Sequence, residues 1–236
     1  MSKEIQNLFK NTVALKKGAR IKLLGDSITH GVGGTGFEQN GEHIIDEFSR
    51  NPDGYCWANL LRDYMKQKFD ATVINNACLG TKIEFIVDNF EKLVCDDDDL
   101  IICTIGTNNR HKYFVDGPKP TKKEHIEEFY NNIIKLNDIF KKAGKEVIFV
   151  ANIPAGAANE LDGVDYWRII HMSDIRDCYV KAQKVCDFPL INLYDIFSEY
   201  CEKSGLCIDS LLDDSLHPNN AGYKIIFELI CNELGV

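Results

Sequence analysis

Two short segments, far apart in the chain, carry side chains suited to nucleophilic chemistry. Ser27 lies in the run GDSIT at 25–29, directly after an apolar stretch, and the run DSLH occupies 214–217 near the other end. A serine hydroxyl becomes an effective nucleophile when a histidine takes its proton and a carboxylate orients that histidine. The pattern predicts a catalytic triad of Ser27, His217 and Asp214 acting on an acyl carbonyl.

The segments between these two runs predict the elements that must bring them together. Most of the strand candidates are continuously apolar, as strands buried on both faces of a sheet are. The predicted strands are Arg20–Leu24, Thr72–Asn75, Leu100–Ile105, Glu146–Ala151 and Pro189–Asn192. Their alternation with helical patterns predicts the α/β class. We expect one domain over residues 1–236, a three-layer α/β/α sandwich with a flavodoxin-like parallel sheet of about five strands in the order 2-1-3-4-5.

The helical segments show apolar residues at a period near 3.6. Predicted helices cover Tyr55–Lys68, a segment from Thr121 to Gly144, Trp167–Cys186 and Asn219–Leu234, with Pro218 expected to suit the first turn of the last one. Thr121 and Glu124 have the spacing of a capping box, and Gly144 suits the end of that helix. Three longer connections, 30–54, 110–120 and 155–165, are expected to shape a substrate pocket.

Polar and glycine-containing runs follow the first three predicted strands, and ligands of parallel sheets bind at the carboxyl ends of strands. These runs are GDS at 25–27, NNACLG at 75–80 and GTNN at 106–109. Together with DSLH at 214–217, they resemble the four blocks of the SGNH hydrolases, also called GDSL-like esterases and lipases. The blocks occur in the family's order and extend over nearly the whole chain.

The resemblance implies a role for each matching residue. Ser27 is then the nucleophile, and the oxyanion hole is formed by the backbone N–H groups of Ser27 and Gly80 with the side-chain amide of Asn108. We expect Gly80 to let the backbone approach closely because it lacks a Cβ. Two positions depart from the family pattern: Ile28 replaces a leucine, and Asn109 replaces an aspartate, whose role at this position is therefore open.

Each residue of these blocks also has a purely structural interpretation. Ser27 could cap a helix, Asn108 could be an ordinary turn residue, Asp214 a loop acid and His217 a neighbour of the cap beside Pro218. Further candidates for substrate contact are His30, His111, Tyr113 and Trp167, with Phe114 and Tyr166 as possible parts of an aromatic wall, and packing is the alternative for all of them.

Three other patterns are interpreted as structural. The spacing G-x-G-x-x-G at 31–36 begins several residues past its strand, so it predicts a tightly turned or flexible loop rather than a dinucleotide site. The acidic run Asp96–Asp99 is typical of a solvated turn rather than a calcium site. Cys78 has no histidine near it in sequence and is expected to pack.

Composition narrows the function further. A net charge of −9 disfavours a nucleic-acid partner, and no apolar run is long enough for a membrane span. The N-terminus lacks a signal peptide and the nine cysteines contain no C-x-x-C pair, so we expect a reduced, cytoplasmic protein. No metal-ligand spacing appears, and no metal or cofactor is expected.

The resulting prediction is a serine esterase that hydrolyses an acetyl or short acyl ester through an acyl-serine intermediate. Its expected partner is a small-molecule or carbohydrate ester, with an O-acetylated carbohydrate as the first candidate. Two alternatives remain: an acyltransferase that uses the same triad, and a non-enzymatic ligand-binding module on the same fold. The pattern gives no oligomeric state.

Overall fold

Five parallel strands form the central sheet of the computed structural model, which describes residues 3–38, 51–112, 118–163 and 165–236. The strands are β1 (Arg20–Gly25), β2 (Thr72–Asn75), β3 (Leu100–Thr104), β4 (Val147–Ala151) and β5 (Leu190–Asn192). Their order across the sheet is β2-β1-β3-β4-β5, and every neighbouring pair is parallel. This order confirms the flavodoxin-like prediction, with the strand-order reversal beside β1.

Helices cover both faces of this sheet. They are α1 (Lys3–Phe9), α2 (Ser27–His30), α3 (Trp57–Phe69), α4 (Ile83–Asp88), α5 (Phe90–Leu93), α6 (Lys122–Lys142), α7 (Ala157–Glu160), α8 (Met172–Cys186), α9 (Leu193–Ser204) and α10 (Asn220–Leu234). A π-helical turn follows α1 at Lys10–Ala14, and 3₁₀ turns lie at Thr107–Arg110 and Ile208–Leu211.

The alternation of side chains along each strand divides the core into two apolar layers. Leu23 of β1 belongs to the layer that packs under α1, α3, α9 and α10, whereas the next residue, Leu24, belongs to the layer under α4, α6 and α8. Trp57 is fully buried in the first layer and Tyr179 in the second. The three-layer α/β/α architecture is therefore as predicted.

Local signals placed several helix ends correctly. Thr121 and Glu124 form the capping box of α6, and Gly144 follows its last turn with a positive φ of 65°. Pro218 does not lie in the first turn of the last helix, because Asn219 is the N-cap of α10 and its side chain accepts a hydrogen bond from the N–H of Gly222. Pro218 instead forms an isolated bridge with Leu212.

The helix expected from Trp167 begins only at Met172. The preceding residues pair like a short strand with the segment after β3: the N–H of Lys112 bonds the carbonyl of Trp167, and the N–H of Ile169 bonds the carbonyl of Arg110. Backbone groups used in this pairing are not available for a helix. The prediction also missed α9, which follows β5 without an intervening loop.

The acidic run before β3 is only partly solvated, in contrast to the interpretation from sequence. Asp98 is buried, and its carboxylate binds Nε of Arg20 at 2.8 Å and lies 3.6 Å from Nζ of the buried Lys22. Asp96 and Asp97 are exposed. Because Asp98 and Arg20 lie where β3 and β1 begin, this ionic cluster is at the amino edge of the sheet.

Candidate active site

The turn that leaves β1 carries the serine singled out from the sequence. Ser27 is the first residue of α2, and Asp26, rather than Ser27, is the N-cap: its Oδ1 accepts the N–H of Ile28 at 3.0 Å. Ser27 is only 6% exposed, and its Oγ lies 2.8 Å from Nε2 of His217, 190 residues away in the chain. The fold thus brings the two sequence blocks into hydrogen-bond contact.

The Asp-x-x-His segment is a tight turn that fixes the second half of the site. Oδ2 of Asp214 lies 2.7 Å from Nδ1 of His217, and its Oδ1 accepts the backbone N–H groups of Leu216 and His217. The turn closes through a hydrogen bond from the N–H of Asp213 to the carbonyl of His217. Ser215, between the pair, has a φ of 66°, a left-handed conformation that non-glycine residues seldom adopt.

The contacts of Asp214 keep it ionised. Partial burial acts to raise the pKa of Asp214, but the backbone and side-chain hydrogen bonds from His217 outweigh this and hold the pKa below its usual value. A carboxylate at this position stabilises the protonated form of the imidazole that it contacts. The arrangement can therefore accept a proton from Ser27 and hold it on His217.

Asp26 is an unusual neighbour of the serine because it is completely buried. Burial raises the pKa of Asp26, although hydrogen bonds from Thr107 and Ile28 and the proximity of His217 partly oppose the shift. Asp26 therefore contacts both the start of α2 and Thr107 of the turn after β3.

The glycine-rich loop after α2 packs against the histidine turn. Gly33 has a φ of 89°, and a Cβ built there would lie 2.6 Å from the carbonyl oxygen of Pro218 and 3.2 Å from Cβ of His217. The hydroxyl of Tyr223 donates to the carbonyl of Val32 at 2.6 Å. The described part of this loop is tightly turned, which is one of the two forms expected from its glycine spacing.

The two proposed oxyanion donors outside the serine turn lie beyond β2 and β3. Nδ2 of Asn108 donates to the carbonyl of Thr81 at 3.1 Å, which fixes the amide against the segment that carries Gly80. Gly80 has a φ of 70° in a turn closed by Thr81 and Cys78. Among the described residues no atom lies within 4 Å of a Cβ built at Gly80, so against them the glycine is needed for its backbone conformation and not, as expected from sequence, for close approach.

Asn109, at the family's aspartate position, makes its side-chain hydrogen bonds to the start of α4. Its Oδ1 accepts the N–H of Ile83 at the start of α4, and its Nδ2 donates to Glu84 at 2.9 Å. Glu84 also accepts a hydrogen bond from Asn132 of α6. An aspartate at this position would confront the carboxylate of Glu84, which is a physical reason for asparagine.

The four candidate substrate contacts have different environments. His30 is fully buried and packs edge-to-face against Phe37 at 5.1 Å, a placement that favours packing over substrate contact. His111 is largely buried and binds Asp165 at 2.7 Å. Burial, followed by the charge of Arg110, lowers the pKa of His111 to about 4, so its imidazole is neutral at neutral pH.

The other two candidate substrate contacts are Trp167 and Tyr113. Trp167 is partly exposed and lies edge-on to the exposed Tyr166 at 5.1 Å. Tyr113, like Phe114, lies outside the described residues. Cys78 is buried, and each of the nine cysteines is a free thiol.

The described ranges bear on two properties, metal-ion binding and membrane crossing. Among residues 3–38, 51–112, 118–163 and 165–236, no group of three His, Cys, Asp or Glu side chains is arranged to hold a metal ion. None of the helices within these ranges combines the length and apolarity needed to cross a bilayer.

The parallel sheet, its two helical layers and the polar turns at its carboxyl edge define the class: this is the three-layer α/β/α fold of SGNH hydrolases. The chain belongs to the GDSL-like lipase/acylhydrolase family, whose model matches residues 23–225. It is therefore grouped with ester hydrolases. A comparison with curated protein sequences finds no match.

Solved structures of the same fold include several ester hydrolases. An acetyl-xylooligosaccharide esterase variant from Geobacillus stearothermophilus superposes with a TM-score of 0.70 at 19% identity, covering 94% of this chain and 97% of that one. A putative GDSL-like lipase from Parabacteroides merdae gives 0.68 at 18%, covering 94% and 98%. The lipase/acylhydrolase from Enterococcus faecalis gives 0.63 at 19%, covering 92% and 95%. At these identities the likeness shows the fold.

Some residues around the site were not singled out from the sequence. Asp26 was part of a recognised block but had no assigned role, and Gly33 was interpreted only as part of a turn. Arg110, Gly156 and Asp209 carried no signal at all, because their contacts join segments that are distant in sequence. Only the tertiary structure identifies them.

Proposed function

We propose that this protein is a serine esterase that hydrolyses a carboxylic ester through an acyl-Ser27 intermediate. The observation that carries the proposal is the continuous hydrogen-bonded line from Oγ of Ser27 to Nε2 of His217 at 2.8 Å, and from Nδ1 of His217 to Asp214 at 2.7 Å. A serine that only capped a helix would not need this line. The helix cap is supplied by Asp26 instead.

The proposed reaction has two halves. In the first, Oγ of Ser27 attacks the carbonyl carbon, His217 takes the hydroxyl proton, and the resulting imidazolium is stabilised by Asp214. His217 then gives the proton to the leaving alcohol, and the acyl group stays on Ser27. In the second half, His217 activates a water that attacks the acyl-enzyme, and the carboxylic acid leaves as the serine is restored.

Developing charge on the carbonyl oxygen needs hydrogen-bond donors. The backbone N–H groups of Ser27 and Gly80 and the amide of Asn108 are the proposed oxyanion hole. Support comes from the adjacency of their segments: the N–H of Cys78 binds the carbonyl of Gly25, and Asn108 binds the carbonyl of Thr81. Removing one donor of an oxyanion hole typically costs about 3–4 kcal/mol of transition-state stabilisation.

The proposed substrate is an acetyl or short acyl ester, with an O-acetylated carbohydrate as the first candidate. The support is the likeness in fold to an acetylxylan esterase over nearly the full length of both chains. In that esterase, replacing an aspartate, or a histidine three residues further along, gives a catalytic mutant. Asp214 and His217 have the same separation in this chain.

The decisive experiment combines Ser27→Ala with a covalent probe. Wild-type protein should hydrolyse p-nitrophenyl acetate and acquire a fluorophosphonate adduct on Ser27, whereas Ser27→Ala should lose both while keeping its circular dichroism spectrum. Ser198→Ala is a matched control because Ser198 lies on α9, where its hydroxyl binds the carbonyl of Tyr194, and it should behave as wild type. Near wild-type turnover by Ser27→Ala would refute the proposal.

Substrate preference is tested with p-nitrophenyl esters of increasing chain length and with acetylated xylo-oligosaccharides. The proposal expects the highest kcat/KM for acetyl esters and release of acetate from the sugar. A preference for long acyl chains would refute the assignment of the acyl group. If no acetate is released from the acetylated xylo-oligosaccharides, the assignment of a carbohydrate substrate is refuted.

A further inference from the structure

Arg110 is a buried arginine whose guanidinium joins two parts of the candidate active site. It is 1% exposed and ends the 3₁₀ turn that carries Asn108. Its Nε donates to the carbonyl of Thr107 at 3.0 Å, within the same turn. One terminal nitrogen donates to Oδ1 of Asn159 at 2.8 Å and lies 3.2 Å from Glu160, both on α7.

The α7 segment, which Arg110 contacts through Asn159 and Glu160, is in turn hydrogen-bonded to the Asp214–His217 turn. The N–H of Gly156, just before α7, donates to the carbonyl of Ser215 at 2.8 Å, and the N–H of Asn159 lies 3.3 Å from Oγ of Ser215. Ser215 stands between Asp214 and His217 in the strained conformation described above. Asp209 completes the junction, because its carboxylate contacts both Ser215 and the N–H of Ala157.

The packing at Gly156 shows how closely the α7 segment approaches the turn that carries Ser215. A Cβ there would lie 2.0 Å from Oδ1 of Asp209 and 2.4 Å from Oγ of Ser215. The backbone of Gly156 has φ −70° and ψ 163°, which any residue can adopt. The constraint at Gly156 is therefore one of space alone: an alanine there must displace the side chains of Asp209 and Ser215, which join the α7 segment to the histidine turn.

We propose that Arg110 is a positioning residue that sets the distance between the Asn108 amide and the Asp214–His217 pair, acting through Asn159, Gly156 and Ser215. This inference rests on the proposed function. The Asn108 turn follows β3, whereas the Asp214–His217 turn lies between the 3₁₀ turn Ile208–Leu211 and α10, and no direct hydrogen bond between Asn108 and the Asp214–His217 turn appears among the described residues. The planar guanidinium fork can hold Thr107 and Asn159 at once, which a lysine ammonium on a flexible stem does with less geometric definition.

The test compares Arg110→Lys and Gly156→Ala with Arg20→Lys. Arg20 undergoes the same chemical change in the ionic cluster at the amino edge, remote from Ser27, so it reports the effect of lost stability alone. For Arg110→Lys and Gly156→Ala we expect kcat to fall about tenfold or more with KM within about twofold, since small misplacements of reacting groups reduce turnover steeply. Arg20→Lys should keep wild-type kcat.

Two further readouts separate positioning from folding. A looser contact with Asp214 makes the protonated imidazole less stable, so the acidic limb of the kcat/KM profile should move to lower pH in Arg110→Lys and Gly156→Ala. The double variant should lose less than the product of the single losses, because both changes loosen one linkage. An unchanged kcat, or an unshifted acidic limb in both variants, would overturn the proposal.

A measurement that does not depend on activity tests the positioning role even if the protein proves not to be an esterase. The Nδ1 proton of His217, hydrogen-bonded to Asp214, should give a low-field NMR signal in wild type and Arg20→Lys that broadens or exchanges faster in Arg110→Lys and Gly156→Ala. If wild type hydrolyses no ester and takes no fluorophosphonate adduct, the esterase proposal fails, and this signal still decides the positioning role. An identical signal in all four proteins would refute it.

Discussion

At the scale of single residues, the site depends on how neighbouring polar groups divide their hydrogen bonds. Asn108 and Asn109 are adjacent and chemically identical, yet Asn108 contacts Thr81 beside the proposed oxyanion hole, whereas Asn109 binds Ile83 and Glu84. The sequence blocks implied an oxyanion-hole role for Asn108 and left the role of Asn109 open. Their partners supply the physical basis for the difference.

We expect Asn108→Ala to lower kcat about a hundredfold or more with little change in KM, because an oxyanion donor acts mainly on charge that develops in the transition state. The measurement is steady-state hydrolysis of one ester at one pH. Asn109→Asp is the comparison and should change kcat far less. A larger kcat loss at position 109 than at 108 would mean that the third block has been aligned one residue out of register.

Asn109→Asp should instead reduce stability, by about 1–3 kcal/mol near pH 7, because it replaces a hydrogen bond to the Glu84 carboxylate with a like charge. The loss should shrink as the pH falls toward 4, where a carboxyl takes up a proton. Urea unfolding at several pH values measures it. Adding Glu84→Gln should restore most of the stability, and failure to do so would contradict this explanation of the asparagine.

The lowered pKa of Asp214 gives a pH dependence of known sign. A carboxyl whose native pKa is depressed contributes stability above its unfolded pKa of about 4, and this contribution is lost as the pH falls through the native value. The difference in free energy of unfolding between wild type and Asp214→Asn should therefore decrease as the pH falls below about 4. A difference that grows as the pH falls below about 4 would contradict the prediction.

At the scale of elements, short turns hold the catalytic candidates: Ser27 follows β1, Asn108 follows β3 and His217 lies just before α10. The loop after α2 places Gly33 directly against the His217 turn, whereas a Cβ built at Gly36 in the same loop meets no atom of the described residues closer than 3.7 Å. Both glycines have positive φ, at 89° and 73°. They therefore share a conformational requirement and differ in their contacts.

Alanine substitutions at Gly33 and Gly36 distinguish the cost of backbone strain from the effect of displacing the His217 turn. Gly36→Ala should cost about 1–2 kcal/mol of stability, the usual penalty for a left-handed alanine, and keep kcat. Gly33→Ala should show the same strain and in addition lower kcat, because its Cβ must displace Pro218 or His217. Thermal unfolding and ester hydrolysis measure the two effects. Equal kcat values in both variants would show that the loop does not position His217.

At the scale of the whole molecule, the sheet separates a polar, reactive carboxyl edge from a stabilising ionic cluster at the amino edge. Asp98 is buried against Arg20 and Lys22, and its Oδ2 also accepts the N–H of Cys95. Removing one partner of a buried ion pair leaves the other charges uncompensated. This cluster should therefore influence stability without influencing the chemistry.

Asp98→Asn should lower the free energy of unfolding by about 3 kcal/mol or more while leaving the kcat of folded protein unchanged. Asp96→Asn, in the same acidic run but exposed, should change stability by no more than about 0.5 kcal/mol. Chemical denaturation and active-site titration with a fluorophosphonate measure the two quantities. Similar losses of unfolding free energy in Asp98→Asn and Asp96→Asn would show that burial of the Asp98 carboxylate does not contribute to stability.

The sequence by itself determined the features that depend on local or strongly periodic patterns. The apolar runs predicted all five strands, the capping box predicted the start of α6, and the strand–helix alternation predicted the order of the sheet. The DSLH run supplied the acid and the histidine of the predicted triad within one short segment. These predictions succeed because their interactions lie within one segment or follow from burial of an entire strand.

Tertiary structure decided which side chains and backbone groups of distant segments become bonding partners. It gave the predicted Ser27–His217 pair its contact, buried Asp98, gave Asn109 its contact with Glu84 and paired 167–169 with the segment after β3. Each outcome depends on which backbone groups and charges become neighbours when the layers pack. A local pattern does not contain that information, because a polar group is stabilised by whichever partner the fold brings within hydrogen-bond distance.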